Sequence, residues 1–233
     1  MIFFHIGGGA GDLDPSTNFR DGFSEFVKSH KSKNKKIYII EANPVNINKL
    51  KKSWEKYKSV KIFNFAISAN KKKKLKFFYS EKDAPHYQLF SSSIDHVKRN
   101  FSESGIKSKF IKTITINKFL DENFNKKVID YFSIDIEGSD FDVIMALNFK
   151  RFTIKNISLE YLHLTKIQKI KILKKLLDNG YSYFGFGLDH NKIDWLFKKK
   201  ISWWNNNVSK LLPLIHRKHY KRINKLLIQN SKI

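Results

Sequence analysis

The chain has 233 residues, which is long enough for one domain with a sizeable core. It has no cysteine, and this excludes disulfides, thiolate catalysis and cysteine-ligated metals. A formal net charge of +24 suggests a nucleic-acid partner. However, 40 of the 45 basic residues are lysines, whereas surfaces that read phosphates or bases use arginine heavily. A/T-rich codons encode Lys, Asn, Ile and Phe, which supply 109 residues, so a biased genome accounts for much of the charge and favours a generally basic, solvated surface.

The chain begins directly on an apolar run, without the basic segment and small-residue cleavage site of a secretory signal. No apolar run approaches the ~18 residues that a membrane span needs. We therefore expect a soluble cytoplasmic protein.

A glycine-rich stretch, His5 to Asp12 (HIGGGAGD), follows this first apolar run and precedes a helical pattern from Gly22 to His30. Strand, glycine loop and helix in this order let a backbone come close to a nucleotide-like cofactor, because a Cβ would collide with the ligand or forbid a positive φ. The spacing is G-x-G-x-G, at Gly7, Gly9 and Gly11, and not the G-x-G-x-x-G of dinucleotide enzymes. It favours S-adenosylmethionine over NAD.

A second apolar run, Ile37 to Ile40, ends on Glu41-Ala42-Asn43-Pro44 and is predicted to be the next parallel strand. In a doubly wound sheet the carboxyl end of this strand faces the cofactor crevice, where a carboxylate can accept hydrogen bonds from both ribose hydroxyls. We predict that Glu41 holds the ribose and that Asn43 belongs to the same cofactor site. The alternative for Glu41 is an ordinary acidic residue at a strand end.

The third predicted strand, Val60 to Ala69, ends in small and apolar residues against which an adenine could lie. We assign that contact to Ala66 and Ile67, with plain core packing as the alternative.

The segment from Asp83 to Ile94 is irregular, as a lid or substrate loop would be. Its His86 is a candidate acid or base, and a solvated loop histidine is the alternative.

A later apolar strand runs into Asp135-Ile136-Glu137-Gly138, and a helix is predicted to begin near Ser139 or Asp140. The two-residue period of a strand puts Asp135 and Glu137 on the same side, at the edge where the chemistry of open α/β sheets occurs. Like charges so close raise the pKa of one carboxyl group, which suits a general base. The alternative is that one of them caps the following helix or accepts backbone N–H groups there.

A fifth strand is predicted over Ile154 to Leu162, with Glu160 near its end. His163 follows it and is a further candidate acid or base. Lys166 to Asp178 is predicted to be an amphipathic helix, and Tyr181 to Phe197 a closing antiparallel hairpin. The scattered Asp, Glu and His residues do not form a ligand set, so we favour a site without a metal. The alternative is that Asp135, Glu137 and Glu160 converge and share a hard cation.

Residues 1–197 are expected to form one domain, and 198–233 a basic, helical C-terminal appendage. The appendage combines lysines with tryptophans and spaced aliphatic residues. This pattern is typical of a helix that packs on its own domain, forms a dimer contact or lies on an anionic membrane surface. We favour packing.

Taken in order from Ile2 to about Phe197, these motifs resemble the FkbM family of S-adenosylmethionine-dependent methyltransferases. The most specific part, residues 133–140 (SIDIEGSD), is similar to the family's K-I-D-x-E-G-x-E. Residues 41–44 (EANP) are similar to its E-P-N-P, residues 64–68 (NFAIS) to N-x-A-L-S, and residues 115–120 (TINKFL) to T-L-D-x-L.

The resemblance implies a class I, Rossmann-like α/β methyltransferase fold, a mostly parallel seven-stranded sheet with a C-terminal antiparallel hairpin. It also implies O-methylation of a hydroxyl on a sugar, glycan or secondary metabolite, with S-adenosylmethionine as the cofactor. His5 stands where the family often has an acidic residue, so His5 is predicted to lie at the cofactor's amino group. Ser133 replaces the family's lysine.

Three other functions stay open. The basic surface would suit an RNA methyltransferase, which would show a salt-dependent affinity for RNA. A non-catalytic module that binds a polyanion or a membrane surface would bind no cofactor. An NAD-dependent oxidoreductase is disfavoured by the glycine spacing.

Overall fold

The computed structural model describes residues 1–13, 22–84, 89–101, 105–124, 127–136, 138–187 and 194–199. The strands of these ranges are β1 (Ile2–Ile6), β2 (Lys36–Glu41), β3 (Val60–Asn64), β4 (Ala66–Ser68), β5 (Lys74–Ser80), β6 (Ile106–Thr115), β7 (Val128–Ile129), β8 (Tyr131–Ile134), β9 (Thr153–Ile154), β10 (Asn156–Glu160), β11 (Tyr181–Phe186) and β12 (Asp194–Lys199). The α-helices are α1 (Gly22–Ser29), α2 (Ile47–Ser53), α3 (Ile94–Asn100), α4 (Ile116–Phe124), α5 (Asp140–Ala146) and α6 (Lys166–Asp178).

Seven strands form the main sheet in the order β11-β12-β10-β8-β1-β2-β3. The neighbours from β10 to β3 are parallel, whereas β12 runs antiparallel to both β10 and β11. The order reverses between β1 and β8, as in a doubly wound fold. The predicted class I sheet and its closing antiparallel hairpin are both confirmed.

Helices cover both faces of the main sheet, because its central strands are apolar on both sides. Phe4 and Ile6 of β1 face the larger core, which α4, α5 and α6 complete. Phe3 faces a smaller core with residues of α1 and α2. At the centre of the larger core, the ring of Phe4 stacks on the rings of Phe132 and Phe119, with centroid distances of 4.8 and 5.1 Å.

The prediction of one continuous strand over residues 60–69 is wrong. The chain leaves the main sheet at Phe65, and β4 pairs in parallel with β6 in a second, three-stranded sheet of order β4-β6-β5. Asn64 keeps the end of β3 beside β2, since its Nδ2 donates to the carbonyl oxygens of Glu41 (2.9 Å) and Ala42 (3.3 Å). The apolar pattern continues through this bend, which is why the sequence predicts a single strand.

Helix α6 has the limits that its pattern predicts. A capping box fixes its start: Thr165 Oγ1 accepts from the Gln168 N–H (3.3 Å), and the Thr165 N–H donates to Gln168 Oε1 (2.9 Å). Among the described residues, none of the helices combines the length and the apolar character that crossing a bilayer requires.

Strand β12 continues through Lys198 and Lys199, and the Lys199 N–H donates to the Lys155 carbonyl (2.8 Å). The first two residues of the predicted appendage therefore belong to the sheet. Residues 200–233 lie outside the described ranges, so a basic helical appendage there stays a prediction.

The core assignment predicts the effect of two matched substitutions. Phe132→Ala removes a fully buried ring, so we expect the free energy of unfolding to fall by about 3–5 kcal/mol. Phe110→Ala truncates a ring that is 66% exposed and should change it by no more than about 0.5 kcal/mol. Urea unfolding followed by circular dichroism measures both, and equal losses would contradict the assignment.

Candidate active site

The carboxyl ends of the parallel strands meet at one edge of the main sheet, where backbone hydrogen bonds join them. The N–H groups of Gly7 and Gly8 both donate to the Ile40 carbonyl at the end of β2 (2.9 and 3.1 Å). The Asp135 N–H donates to the Ile6 carbonyl at the end of β1 (2.9 Å). The glycine loop, the acidic end of β2 and the turn after β8 therefore lie side by side, as predicted for ligand sites of open α/β sheets.

The three predicted cofactor glycines all have positive φ, at +93° for Gly7, +51° for Gly9 and +60° for Gly11. A Cβ on Gly7 would stand 1.5 Å from the Asp135 carbonyl oxygen, and one on Gly11 would lie 2.8 Å from Ser53 Oγ. At Gly9 no atom lies within 4 Å of the Cβ position. Only Gly9 thus presents bare backbone to open space, whereas at Gly7 and Gly11 the collision would be with the chain itself.

Glu41 is buried at the end of β2, with 7% of its surface exposed. Its Oε2 accepts from the Gly9 N–H (2.7 Å), and its Oε1 accepts from the Asn43 N–H (2.5 Å). Burial raises the pKa of Glu41 to about 7, although backbone hydrogen bonds from Asn43, Gly9 and Ala42 act to lower it. A carboxylate has about four acceptor positions, so Glu41 can accept these three backbone hydrogen bonds and still accept from one further donor.

Asn43 is buried and shapes the turn into α2. Its Oδ1 accepts from the Val45 N–H (3.1 Å), and its backbone carbonyl accepts from the Asn46 N–H (3.2 Å). This Asx-type turn needs an asparagine or aspartate. Its part in the cofactor site stays a prediction.

His5 lies between the sheet and α1, with 5% of its surface exposed. Its ring stacks on Phe23, with ring centroids 4.5 Å apart and an interplanar angle of 14°. In the sheet, His5 is the register partner of Ser133 in β8, so the two departures from the family pattern are neighbours. Contact between His5 and the cofactor's amino group stays a prediction.

Ala66 and Ile67 are both buried in β4. Ile67, with Ser68, lines a cavity of about 440 Å³ whose other walls come from β5, β6 and the start of α5. Ile67 is thus next to open volume, whereas Ala66 packs in a small core with Phe77, Phe90 and Ile111, so the adenine contact stays a prediction.

The turn after β8 is organised by Asp140, which is 2% exposed. Its Oδ1 accepts from the Ile136 N–H (3.0 Å) and its Oδ2 from the Gly138 N–H (3.3 Å). Burial raises the pKa of Asp140 to about 6, against the lowering effect of these hydrogen bonds. Accepting backbone N–H groups was the alternative role for Asp135 or Glu137, and here Asp140 performs it.

The three predicted catalytic residues, Asp135, Glu137 and His86, remain predictions. Asp135 follows β8 and is partly buried, at the edge where the sequence places it. Glu137 and His86 lie outside the described residues, so neither can be compared with its predicted position.

A group of ionisable side chains lies beside this turn and joins it to the end of β10. His163 Nε2 is 3.2 Å from Glu160 Oε1, and the rings of His163 and His96 have centroids 4.3 Å apart. A Cβ on Gly138 would lie 3.4 Å from His96 Nδ1. The sequence indicates Glu160 and His163 as candidates, because they lie at the end of a predicted strand. His96 lies on the short helix α3, and no local pattern predicts where this helix packs.

Over the described ranges, no three His, Asp or Glu side chains have the arrangement of a metal site.

The main sheet, with its glycine loop and the acidic end of β2, defines a class I methyltransferase. The model of the methyltransferase FkbM domain matches residues 6–183, most of the chain. The chain therefore belongs to the FkbM methyltransferase family and is an S-adenosylmethionine-dependent methyltransferase.

Solved structures similar to this chain are distant in sequence. Precorrin-6y C5,15-methyltransferase from Geobacter metallireducens is 15% identical, with a TM-score of 0.43 over 86% of this chain and 80% of that one. Fibrillarin from Aeropyrum pernix, with natively bound S-adenosyl-L-methionine, is 10% identical, with a TM-score of 0.43 over 84% and 64%. TrmK from M. capricolum, in complex with S-adenosyl-homocysteine, is 13% identical, with a TM-score of 0.39 over 97% and 89%. No curated protein matches the chain.

The glycine loop predicts different costs for two alanine substitutions. Gly7→Ala adds a methyl group that must displace the Asp135 carbonyl and also strains φ, so we expect at least about 2 kcal/mol of lost stability. Gly9→Ala has room for its methyl group and should cost only about 1 kcal/mol, from its left-handed backbone. Urea unfolding of the two variants checks this, and equal losses would mean that β1 and β8 do not approach as described.

The buried Glu41 carboxyl group predicts a pH dependence of stability. Its pKa is about 7 in the folded protein and 4.5 ordinarily, so the folded state binds more protons between these values. The contribution of Glu41 to stability is therefore largest below about pH 4.5 and falls by up to about 3 kcal/mol as the pH rises through 7.

Glu41→Gln removes this titration. We expect the stability of the variant relative to the wild type to rise across the same pH window, measured by urea unfolding at several pH values. A constant difference at all pH values would show that Glu41 ionises normally.

Proposed function

We propose that the protein methylates a hydroxyl group of a sugar, glycan or secondary metabolite, at an active site on the carboxyl edge of the main sheet. One observation carries the proposal. The open side of Gly9 and the buried Glu41 carboxylate share this edge with the carboxylate and imidazole groups that follow β8 and β10. The proposed methyl-donor site and groups able to remove a proton thus lie along one edge, an arrangement that supports methylation of an alcohol.

The proposed cofactor contacts follow the sheet edge. The backbone of Gly7 to Gly11 accommodates the methionine end, Glu41 accepts hydrogen bonds from the ribose hydroxyls, and Ala66 with Ile67 flanks the adenine. Two observations support this arrangement: Gly9 leaves space that a side chain would fill, and Glu41, which binds the Gly9 N–H, retains one acceptor position. His5 and Asn43 complete the proposed set.

Bound S-adenosylmethionine supplies an electrophilic methyl group, and the protein must align the acceptor oxygen and remove its proton. Asp135 is a proposed base because it follows the central strand β8 at the sheet edge. Glu137 and His86 keep the same proposed role. The proposed site of action is the cytoplasm, in keeping with the cysteine-free composition.

The ribose assignment is tested by calorimetric titration with S-adenosylmethionine and, separately, with NAD. Glu41→Gln should weaken S-adenosylmethionine binding by at least about tenfold, because a hydrogen bond to a charged group is worth roughly 1.5–3 kcal/mol. Glu122→Gln, on the exposed side of α4, is the matched control and should leave Kd unchanged. An unchanged Kd in the Glu41 variant would count against the ribose assignment.

The acceptor is tested with S-adenosylmethionine that carries a radioactive methyl group, against a panel of mono- and oligosaccharides and hydroxylated secondary metabolites. The expected product is a methyl ether, identified by mass spectrometry. Transfer to amines alone, or to no member of the panel, would contradict the proposal.

RNA is a second candidate acceptor, which the exposed face of β5 and β6 favours. Lys74 and Lys76 lie on this face with Phe110, the register partner of Lys76, which is 66% exposed. A base can stack on such a ring while lysines contact phosphates. If RNA is the acceptor, Lys74→Gln/Lys76→Gln should lower both methyl transfer to RNA and the salt dependence of RNA binding.

A further inference from the structure

We propose that His163 accepts the proton of the methylated hydroxyl, with Glu160 orienting its ring and His96 connecting it to the turn after β8. This inference rests on the proposed hydroxyl acceptor. The three side chains come from two segments that are far apart in the sequence, helix α3 and the end of β10, and only the tertiary fold brings them together.

Glu160 and His163 are arranged like the acid and base of a catalytic triad. Glu160 ends the parallel strand β10 and is 5% exposed, and its Oε1 is 3.2 Å from His163 Nε2. In the tautomer with its hydrogen on Nε2, His163 donates a hydrogen bond to the Glu160 carboxylate. This tautomer has a lone pair on Nδ1, and Nδ1 can therefore accept a proton. The buried carboxylate also stabilises the imidazolium that then forms.

His96 and its helix place this pair next to the turn after β8, and that turn adjoins the glycine loop through Asp135. The His96 ring lies 4.3 Å from the His163 ring and faces Gly138, and only 2% of His96 is exposed. Ser92 Oγ, just before α3, is 3.0 Å from Ser139 Oγ. Helix α3 is therefore docked on the turn that follows Asp135, on the side of that turn towards β10.

Burial and the basic groups of α3 favour a neutral His163 ring that is ready to accept a proton, and the Glu160 carboxylate then stabilises the protonated ring. Burial lowers the pKa of His163, and the nearby His96 and Arg99 lower it further. The ionisable groups that face it are Glu160 from β10 and His96 and Arg99 from α3. One third of the side chain is exposed, so an acceptor and then solvent can reach it.

The proton balance of the proposed step is simple. The acceptor oxygen forms one bond to the methyl carbon, the carbon–sulfur bond breaks with its electron pair remaining on sulfur, and the hydroxyl proton moves to His163 Nδ1. His163 then returns the proton to solvent. Glu160 remains ionised throughout and keeps the ring in place.

The position of His163 can be tested without an identified acceptor, because S-adenosylmethionine carries a positive sulfonium and S-adenosylhomocysteine does not. We expect the pKa of His163, followed by NMR in ¹⁵N-histidine-labelled protein, to be lower in the first complex than in the second by about 1. His30, whose ring packs edge-on against Phe3 near the amino end of β1, is the internal reference and should show the same resonances in both complexes. Equal pKa values of His163 in the two complexes would overturn the proposal.

The catalytic role is tested with His163→Gln and Glu160→Gln, and His30→Gln is the matched control. With a hydroxyl compound that the wild type methylates, His163→Gln should lower kcat by about 10²–10⁴-fold, while Kd for S-adenosylmethionine stays within about twofold. Glu160→Gln should lower kcat less and move the acidic limb of the pH profile. An unchanged kcat in His163→Gln would overturn the proposal.

The two proposals fail in different ways. If no hydroxyl compound is methylated, O-methylation fails, and the NMR comparison still decides whether His163 faces the sulfonium. If His163→Gln does not fold, the NMR comparison on the wild type decides. If kcat falls only because S-adenosylmethionine binding is lost, His163 is a structural residue and the proposal is overturned.

Discussion

The closest backbone approach at the sheet edge, between Gly7 and the Asp135 carbonyl, is the constraint on which the site depends. A Cβ at Gly7 would stand 1.5 Å from that oxygen, so no other residue fits without moving a strand. The approach brings the end of β1 against the end of β8, at the point where the strand order of the sheet reverses. Because the cofactor loop and the acidic turn belong to these two ends, their spacing follows directly from the absence of one side chain.

The functional features follow the sheet order from β2 to β10. Glu41 lies at the end of β2, the glycine loop after β1, Asp135 after β8, and Glu160 with His163 at the end of β10. A donor that reaches across from the ribose site would present its reactive end towards the histidine group. The proposed chemistry thus follows the strand order, which explains how residues from four strand ends can serve one reaction.

Much of the fold could be predicted from the sequence, because buried parallel strands have continuous apolar runs and α6 has a clear amphipathic pattern with a capping residue. The bend at Phe65 could not, since the apolar pattern is uninterrupted and only pairing with β6 shows that β4 has left the main sheet. At the site, the glycines and Glu41 carry local signals. His96 and the structural role of Asp140 carry none, because both depend on which segments pack together.

The bond between Glu41 and the Gly9 N–H has a consequence for ligand entry. It fastens the loop after β1 to the end of β2, so the folded chain itself holds the Gly9 backbone in place. The loss of backbone freedom at Gly9 is then a cost of folding and not of association. A nucleoside arriving at this edge would meet a carboxyl group that is already in position.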